Sequence, residues 1–334
     1  MAVLAQRRTE RYFGLREMDP LRDLRGVADL IEEAFADDLD RSGQKALREL
    51  RWLSRLKPVL WWMTYTNPEH TDFLSGFVWE EERKIVGNIT VNRTRASSRR
   101  WLISNLAVSK AYRGRGVARG LMFAGMELVK EYSGASVALQ VRADNEPARR
   151  LYDSLGFKEI SGSAHLHVSF IPRVQIQPLP GNLVIRPRNG GLKDTREAYN
   201  LASAATPSNT QKEWPLRQNQ FRITGDPIGN FFRRLVGDGA SSHWVVEDGA
   251  RFVALLNVRP GTWRQPHSID LLVHPDWRGS LEKPLISRAL EYLHHWPGRE
   301  LVVKHATDHP EAISAYKALG LIEKQTLIWM KLEL

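Results

Sequence analysis

The chain has 334 residues, 42% hydrophobic and 26% charged, a balance that excludes a disordered or fibrous chain and leaves room for two ordinary domains. It contains no cysteine, which excludes disulfides, thiolate metal sites and a cysteinyl acyl intermediate. The net charge of +10 is spread evenly over both halves, which suits attraction of a phosphorylated small molecule better than a dedicated nucleic-acid surface.

In chain order, residues 1–12 lack the apolar core of a secretory leader, and no apolar run reaches the ~20 residues of a membrane span. The expected location is the cytoplasm, with no membrane partner. An opening strand is predicted at Phe13 to Met18, followed by helices over 19–35 and 45–65. Strands over 73–81, 84–92 and 101–108 are joined by short turns and predict an antiparallel meander.

The third of these strands runs through Leu106, Ala107 and Val108 into Arg113-Gly114-Arg115-Gly116-Val117-Ala118, and helical spacing of Val117, Leu121, Ala124 and Leu128 follows. A strand that enters a helix through a basic, glycine-rich turn can cradle a pyrophosphate: the glycines leave the backbone N–H groups open, and the helix start adds its positive dipole end. Such a turn can equally be a solvated connection. No Lys-Ser or Lys-Thr follows the second glycine, and the three-glycine dinucleotide spacing is missing, so those two phosphate-binding classes are set aside.

Ser133-Gly134 ends the helix, and Val137, Leu139 and Val141 alternate as a strand. Asn145 then reads as a helix cap, Pro147 fits the first turn, and Ala148, Leu151, Tyr152 and Leu155 share a face before Gly156-Phe157. With Arg113-x-x-Gly116-x-Ala118 upstream and Asn145 to Tyr152 plus Leu155-Gly156-Phe157 downstream, the first half resembles the GNAT N-acyltransferase superfamily. It is most similar to the subgroup that acetylates N-terminal amines of ribosomal proteins.

This resemblance implies acetyl-CoA as co-substrate and a small-molecule or peptide amine as acceptor, joined by direct attack of the amine on the thioester. It implies that the backbone of Leu106, Ala107 and Val108 runs along the pantetheine arm and donates an N–H to the thioester carbonyl. Residues Arg113, Gly114, Arg115, Gly116, Val117 and Ala118 hold the pyrophosphate, Asn145 belongs to the second cofactor motif, and Tyr152 is the acid for the leaving thiolate. A half-buried packing residue is the plainer reading of Tyr152.

No base is evident. Gln140 stands where the subgroup carries a glutamate, and residues 101–108 hold no carboxylate. The remaining candidates are Glu80, Glu81 and Glu82, which read as a turn, and Glu32, Glu33, Asp37, Asp38 and Asp40 at the first helix end. An α-amine of pKa ~8 is neutral about once in ten molecules at pH 7, against about once in 2,500 for a lysine of pKa ~10.4, so an acceptor of low pKa is expected. Trp61, Trp62, Met63 and Tyr65, with Trp79 and Trp101, could form core or line an apolar acceptor pocket.

The second half echoes the first. His274-Pro275-Asp276-Trp277-Arg278-Gly279 answers Ser109 to Gly114, Ala315 to Leu321 answers Leu151 to Phe157, and Leu183 to Arg188 answers the opening strand. The expected architecture is mixed α/β (α+β), with two tandem domains of this family, each a mostly antiparallel sheet flanked by helices: 1–170, a proline-rich linker over 171–182, and 183–334. In the second copy Leu281 replaces Gly116, Glu282 puts a carboxylate at the helix start, and His309 replaces Asn145. That copy is expected to have lost acyl-CoA binding. Mycothiol synthases resemble the tandem arrangement, with the second copy catalytic. A non-catalytic acyl-CoA sensor and an RNA-associated or ribosome-associated module, using Arg93, Arg95, Arg99, Arg100, Arg113 and Arg115, are the rival readings. His165, His167, His294 and His295 lack metal-ligand spacing, and no metal is expected.

Overall fold

A short strand, β1 (Leu15–Glu17), opens the part of the chain that the computed structural model describes: residues 14–35, 48, 51–52, 75–94, 99–223, 241–261 and 265–334. The predicted helix over 45–65, with Trp61, Trp62, Met63 and Tyr65, falls largely outside these residues, as do Phe13, Asp37, Asp38, Asp40, Phe73 and Arg95.

Asp19 starts the first helix by accepting the Leu21 N–H at 2.9 Å, with Pro20 in the first turn. The helix, α1 (Pro20–Ala34), buries Val27, Ala28 and Ile31 against Val78. Strands β2 (Gly76–Glu81), β3 (Lys84–Arg93) and β4 (Arg100–Val108) follow as the expected antiparallel meander, with β2 also pairing β1. Helix α2 (Val117–Glu131) then crosses over to β5 (Ser136–Arg142), which lies parallel to β4 and is followed by α3 (Glu146–Ser154) and β6 (Lys158–Val168).

The second half repeats this order. Strand β7 (Val184–Pro187) and helices α4 (Leu192–Ala205) and α5 (Ser208–Glu213) lead to an antiparallel β8 (Ser242–Asp248), β9 (Arg251–Arg259) and β10 (His267–Val273). Helix α6 (Glu282–Leu293) crosses over to β11 (Leu301–Ala306), parallel to β10, and α7 (Pro310–Ala318) and β12 (Ile322–Glu333) close the chain.

One ion-pair network is duplicated with the repeat. Arg16 on β1 bonds Asp23 in the first turn of α1 at 2.5 and 2.7 Å and Glu80 on β2 at 2.8 Å. Arg186 on β7 bonds Asp194 on α4 at 2.9 Å and Glu247 on β8 at 2.7 Å. In both copies the helix aspartate is almost fully buried and also accepts a backbone N–H, from Asp19 or Asn189. A buried carboxylate persists only where it is paired and hydrogen-bonded, and here each copy uses the same partner to fasten its first strand to its first helix.

By contacts the chain divides into two units that are not contiguous in sequence. The first is Met1–Val141, Pro147–Glu159 and Trp329–Leu334; the second is Arg142–Glu146 and Ile160–Ile328. Each unit thus takes its closing strand from the other half of the chain. In the first, the Leu334 N–H donates to the Ala135 carbonyl at 3.1 Å. In the second, β6 pairs antiparallel with β11 from Leu301↔Val168 to Ala306↔Ser163. The strand order is β1-β2-β3-β4-β5 and the end of β12 in the first unit, and β12-β6-β11-β10-β9-β8-β7 in the second.

Candidate active site

The candidate site lies where β4 leaves its neighbours. Its pairing with β3 slips between Asn88↔Ala107 and Thr90↔Ser104, so Asn105 and Leu106 together oppose Ile89 in a β-bulge. Asn105 sits at φ +51°, a left-handed conformation that asparagine tolerates better than most residues. On the other side, the parallel register with β5 runs from Arg100↔Ser136 to Ile103↔Leu139 and stops.

Backbone direction past the bulge follows from the ladder. The Ser109 N–H donates to the Val86 carbonyl at 2.9 Å, and antiparallel alternation from that bond turns Ala107 towards β3 and the N–H groups of Leu106 and Val108 away from it. The side chain of Arg113 curls back, its Nε donating to the Val108 carbonyl at 3.2 Å.

After β4, a single 3-10 turn (Lys110–Tyr112) delivers the chain to Gly114 and Gly116 at φ +76° and +83°. A Cβ built on either glycine meets nothing within 4 Å, so the bend is open on the side where a side chain would stand. Gly116 is the N-cap of α2 with no side-chain cap and no acidic residue in the first turn. The first intrahelical bond is Gly120 N–H to Gly116 carbonyl at 2.9 Å, so the N–H groups of Val117, Ala118 and Arg119 precede any helical acceptor. Backbone donors at a helix start, with Arg113 and Arg115 exposed beside them, are groups that could hold an anion. Val117 is buried and anchors the helix to the sheet, and Arg115 stacks over the Tyr112 ring at 5.0 Å.

Tyr152 on α3 is 7% exposed, its ring 5.9 Å from that of Phe157. Burial pushes its phenol up to about 12, so it stays a neutral O–H donor at neutral pH. Delivering that proton to a thiolate of pKa ~8.5 runs uphill by roughly three to four units unless the thiolate is desolvated beside it. Asn145 is exposed in the turn before α3, its N–H donating to the Arg142 carbonyl at 3.1 Å.

The described carboxylates considered as bases are mostly occupied. Glu32 accepts two bonds from Arg51, whose guanidinium holds it below the usual carboxylate range. Glu33 accepts from the Ser109 hydroxyl at 3.0 Å and the Lys110 N–H at 3.1 Å. Glu80 joins Arg16 and Arg22, Glu81 accepts the Trp79 Nε1–H at 3.0 Å, and Glu82 sits in the β2–β3 turn at φ +48°. Gln140 is exposed on β5.

In the second copy the loop begins alike and ends differently: Gly279 matches Gly114, whereas Leu281, the counterpart of Gly116, sits at φ −103°. A 3-10 turn (Pro275–Trp277) leads to Gly279 at φ +84°, but Leu281 is fully buried in the hydrophobic core and Glu282 follows it, 1% exposed. Glu282 Oε1 is 2.7 Å from His309 Nε2, and His309 Nδ1 is 2.9 Å from His305 Nε2. Burial alone would raise the Glu282 pKa; the His309 contact and the backbone N–H groups of Glu282 and Gly279 more than offset it. The carboxylate is thus held internally, by His309 and by backbone N–H groups at the start of its own helix. Sequence reasoning located Glu282 and His309 but missed His305, whose place on β11 reads as an ordinary inward strand position.

Among the described residues no group of three or more His, Cys, Asp or Glu is arranged to hold a metal ion, and no helix is long and apolar enough to cross a membrane.

Residues 32–157 match the acetyltransferase (GNAT) family. The chain is 39% identical over 66 residues to an N-alpha-acetyltransferase of Sulfurisphaera tokodaii, which is 20% of this chain and 40% of that protein. It is 31% identical over 83 residues to N-alpha-acetyltransferase 30 of Schizosaccharomyces pombe, 24% of this chain and 55% of that one. The chain thus spans about half or less of the length of these two curated relatives. Over nearly its whole length it shares the fold of a GCN5-related N-acetyltransferase from Sphaerobacter thermophilus, at TM-score 0.58 and 17% identity, covering 96% of this chain and 95% of that one.

Proposed function

We propose that the chain is an acetyl-CoA-dependent N-acetyltransferase whose first unit is active and whose second copy no longer binds the co-substrate. The observation that carries this reading is the contrast between the two helix starts: Gly116 is at φ +83° with open space where a Cβ would stand, whereas Leu281 is at φ −103° with its side chain in the core, and Glu282 after it is bonded to His309. The open bend fits a diphosphate, since its donors are backbone N–H groups ahead of the first helical acceptor and its rim is cationic. A thioester supplies the acyl group and the leaving thiolate.

In this reading Arg113, Gly114, Arg115, Gly116, Val117 and Ala118 grip the diphosphate. Leu106, Ala107 and Val108 run along the pantetheine arm, with an N–H turned away from β3 donating to the thioester carbonyl. The acceptor amine forms a bond to the carbonyl carbon as the carbon–sulfur bond breaks, the amine gives up a proton, and the thiolate accepts hydrogen-bond or proton donation from Tyr152.

The acceptor proposed is an α-amine, consistent with the N-alpha-acetyltransferase names of the relatives. An amine neutral about once in ten molecules at pH 7 needs little help from a base, whereas a lysine does. Two matched peptides, one with only a free α-amine and one with only a lysine, test this with acetyl-CoA. The expected result is acetylation of the first; preference for lysine overturns the acceptor assignment, and no turnover on any amine favours an acyl-CoA sensor.

A further inference from the structure

Asn88 is fully buried in the middle of β3, a position where sheets disfavour asparagine. Its Nδ2 donates to the Asn105 carbonyl at 3.0 Å, while its Oδ1 is buried with no partner among the described residues. Rotating the amide by half a turn would set Oδ1 against the Asn105 oxygen, so the orientation is determined. An orphaned buried acceptor forfeits its bonds to water without replacement and is destabilising. Asn105 adds its own cost at φ +51°, and its Nδ2 reaches Thr90 Oγ1 at 3.4 Å. Two unfavourable features thus meet at one peptide group, which a valine at 88 and a regular ladder would have avoided.

That peptide group joins Asn105 to Leu106. It is planar and trans, so its C=O and N–H point in opposite directions. Asn88 draws the carbonyl to its own side, and the Leu106 N–H is thereby aimed away from β3, past the last paired residue of the β5 register, Ile103.

We propose that Asn88 is a positioning residue for acetyl transfer: by holding the Asn105 carbonyl it fixes the Leu106 N–H as the donor to the thioester carbonyl. The inference rests on the reading of the first unit as the acetyl-CoA site. It selects one backbone donor from the three residues 106–108 and assigns the bulge a cause outside β4 itself.

The test compares acetyl-CoA with CoA, which lacks the carbonyl. Calorimetry on the full-length chain is expected to show that Asn88→Ala reduces the preference for acetyl-CoA over CoA about tenfold, leaves CoA affinity unchanged, and lowers kcat about tenfold to a hundredfold. Asn88→Asp, nearly isosteric, guards against a folding failure. Its ionised carboxylate repels the Asn105 oxygen, while the protonated form can donate to it, so its activity relative to wild type rises as pH falls. If wild type takes up neither ligand, the acetyl-CoA reading itself fails. If wild type binds and the variants keep its acetyl-CoA preference, or lose both ligands in parallel, or show a flat relative pH profile, Asn88 has no positioning role.

Discussion

Gly116 combines two properties that no other residue type supplies together: a backbone at φ +83° and an empty space where a Cβ would project. An L side chain in that conformation costs roughly 1–2 kcal/mol and, on the proposed function, would also stand in the path of a diphosphate. Gly116→Leu, which copies Leu281 of the second half, is expected to weaken acetyl-CoA binding about a hundredfold by calorimetry, with secondary structure intact by circular dichroism. Tyr152→Phe should act on another quantity. It is expected to lower kcat about a hundredfold and to change acetyl-CoA affinity by no more than about twofold, read by steady-state assay and calorimetry. Equal losses in both would make Tyr152 a packing residue. The open turn at the two glycines was legible because the property is local: a missing side chain at positive φ. Asn88 was not, because nothing in Gly87-Asn88-Ile89 announces that β4, seventeen residues on, will bulge against it.

At the scale of elements, the start of α6 is where the two copies part. The chain of Glu282, His309 and His305 is buried beside Arg278, whose Nη1 donates to the Asp308 carbonyl at 2.8 Å. Burial, with His309 and Arg278 nearby, lowers His305 to about 4 from an ordinary 6.5. Between those two values the unfolded chain binds a proton that the folded chain refuses. This contribution to stability is therefore complete above about pH 6.5 and is lost as pH falls towards 4, with a slope of up to about 1.4 kcal/mol per pH unit. Urea unfolding at pH 7.5 and 5.0 is expected to show the loss, and His305→Leu to flatten it; an unchanged slope in the variant would place the proton elsewhere. Among the described residues of the first half, strands and helices up to β4 were legible within a few residues, from period-two and period-3.6 patterns; in the second half the order of elements was legible. The hydrogen bonds that link α6, β11 and the turn before α7 were not, because periodicity reports which way a residue faces and not what it meets there.

For the whole molecule, the repeat in the sequence and the units in space follow different divisions. The order of elements repeats after 171–182, a proline-rich stretch without helix or strand, yet each unit is closed by strand residues from the other half. Sequence could expose the duplication, since paired motifs keep their spacing, but not the exchange, since strand pairing is a long-range choice with no local mark. A fragment ending at residue 170 lacks Trp329–Leu334 and leaves β6 without β11. It is expected to show no cooperative thermal transition and no acetyl-CoA binding, while co-expression with 171–334 restores both. A sharply melting, binding-competent fragment would show that the exchanged strands are dispensable.

The exchange also sets an order of events at the ribosome. The part of the protein synthesised first cannot be finished until residues 329–334 have emerged, so a nascent or prematurely terminated chain carries the glycine bend and all of β4 and still lacks the strand that completes their sheet. The first unit is thereby left unfinished in incomplete translation products and completed only when the later half of the chain has been made.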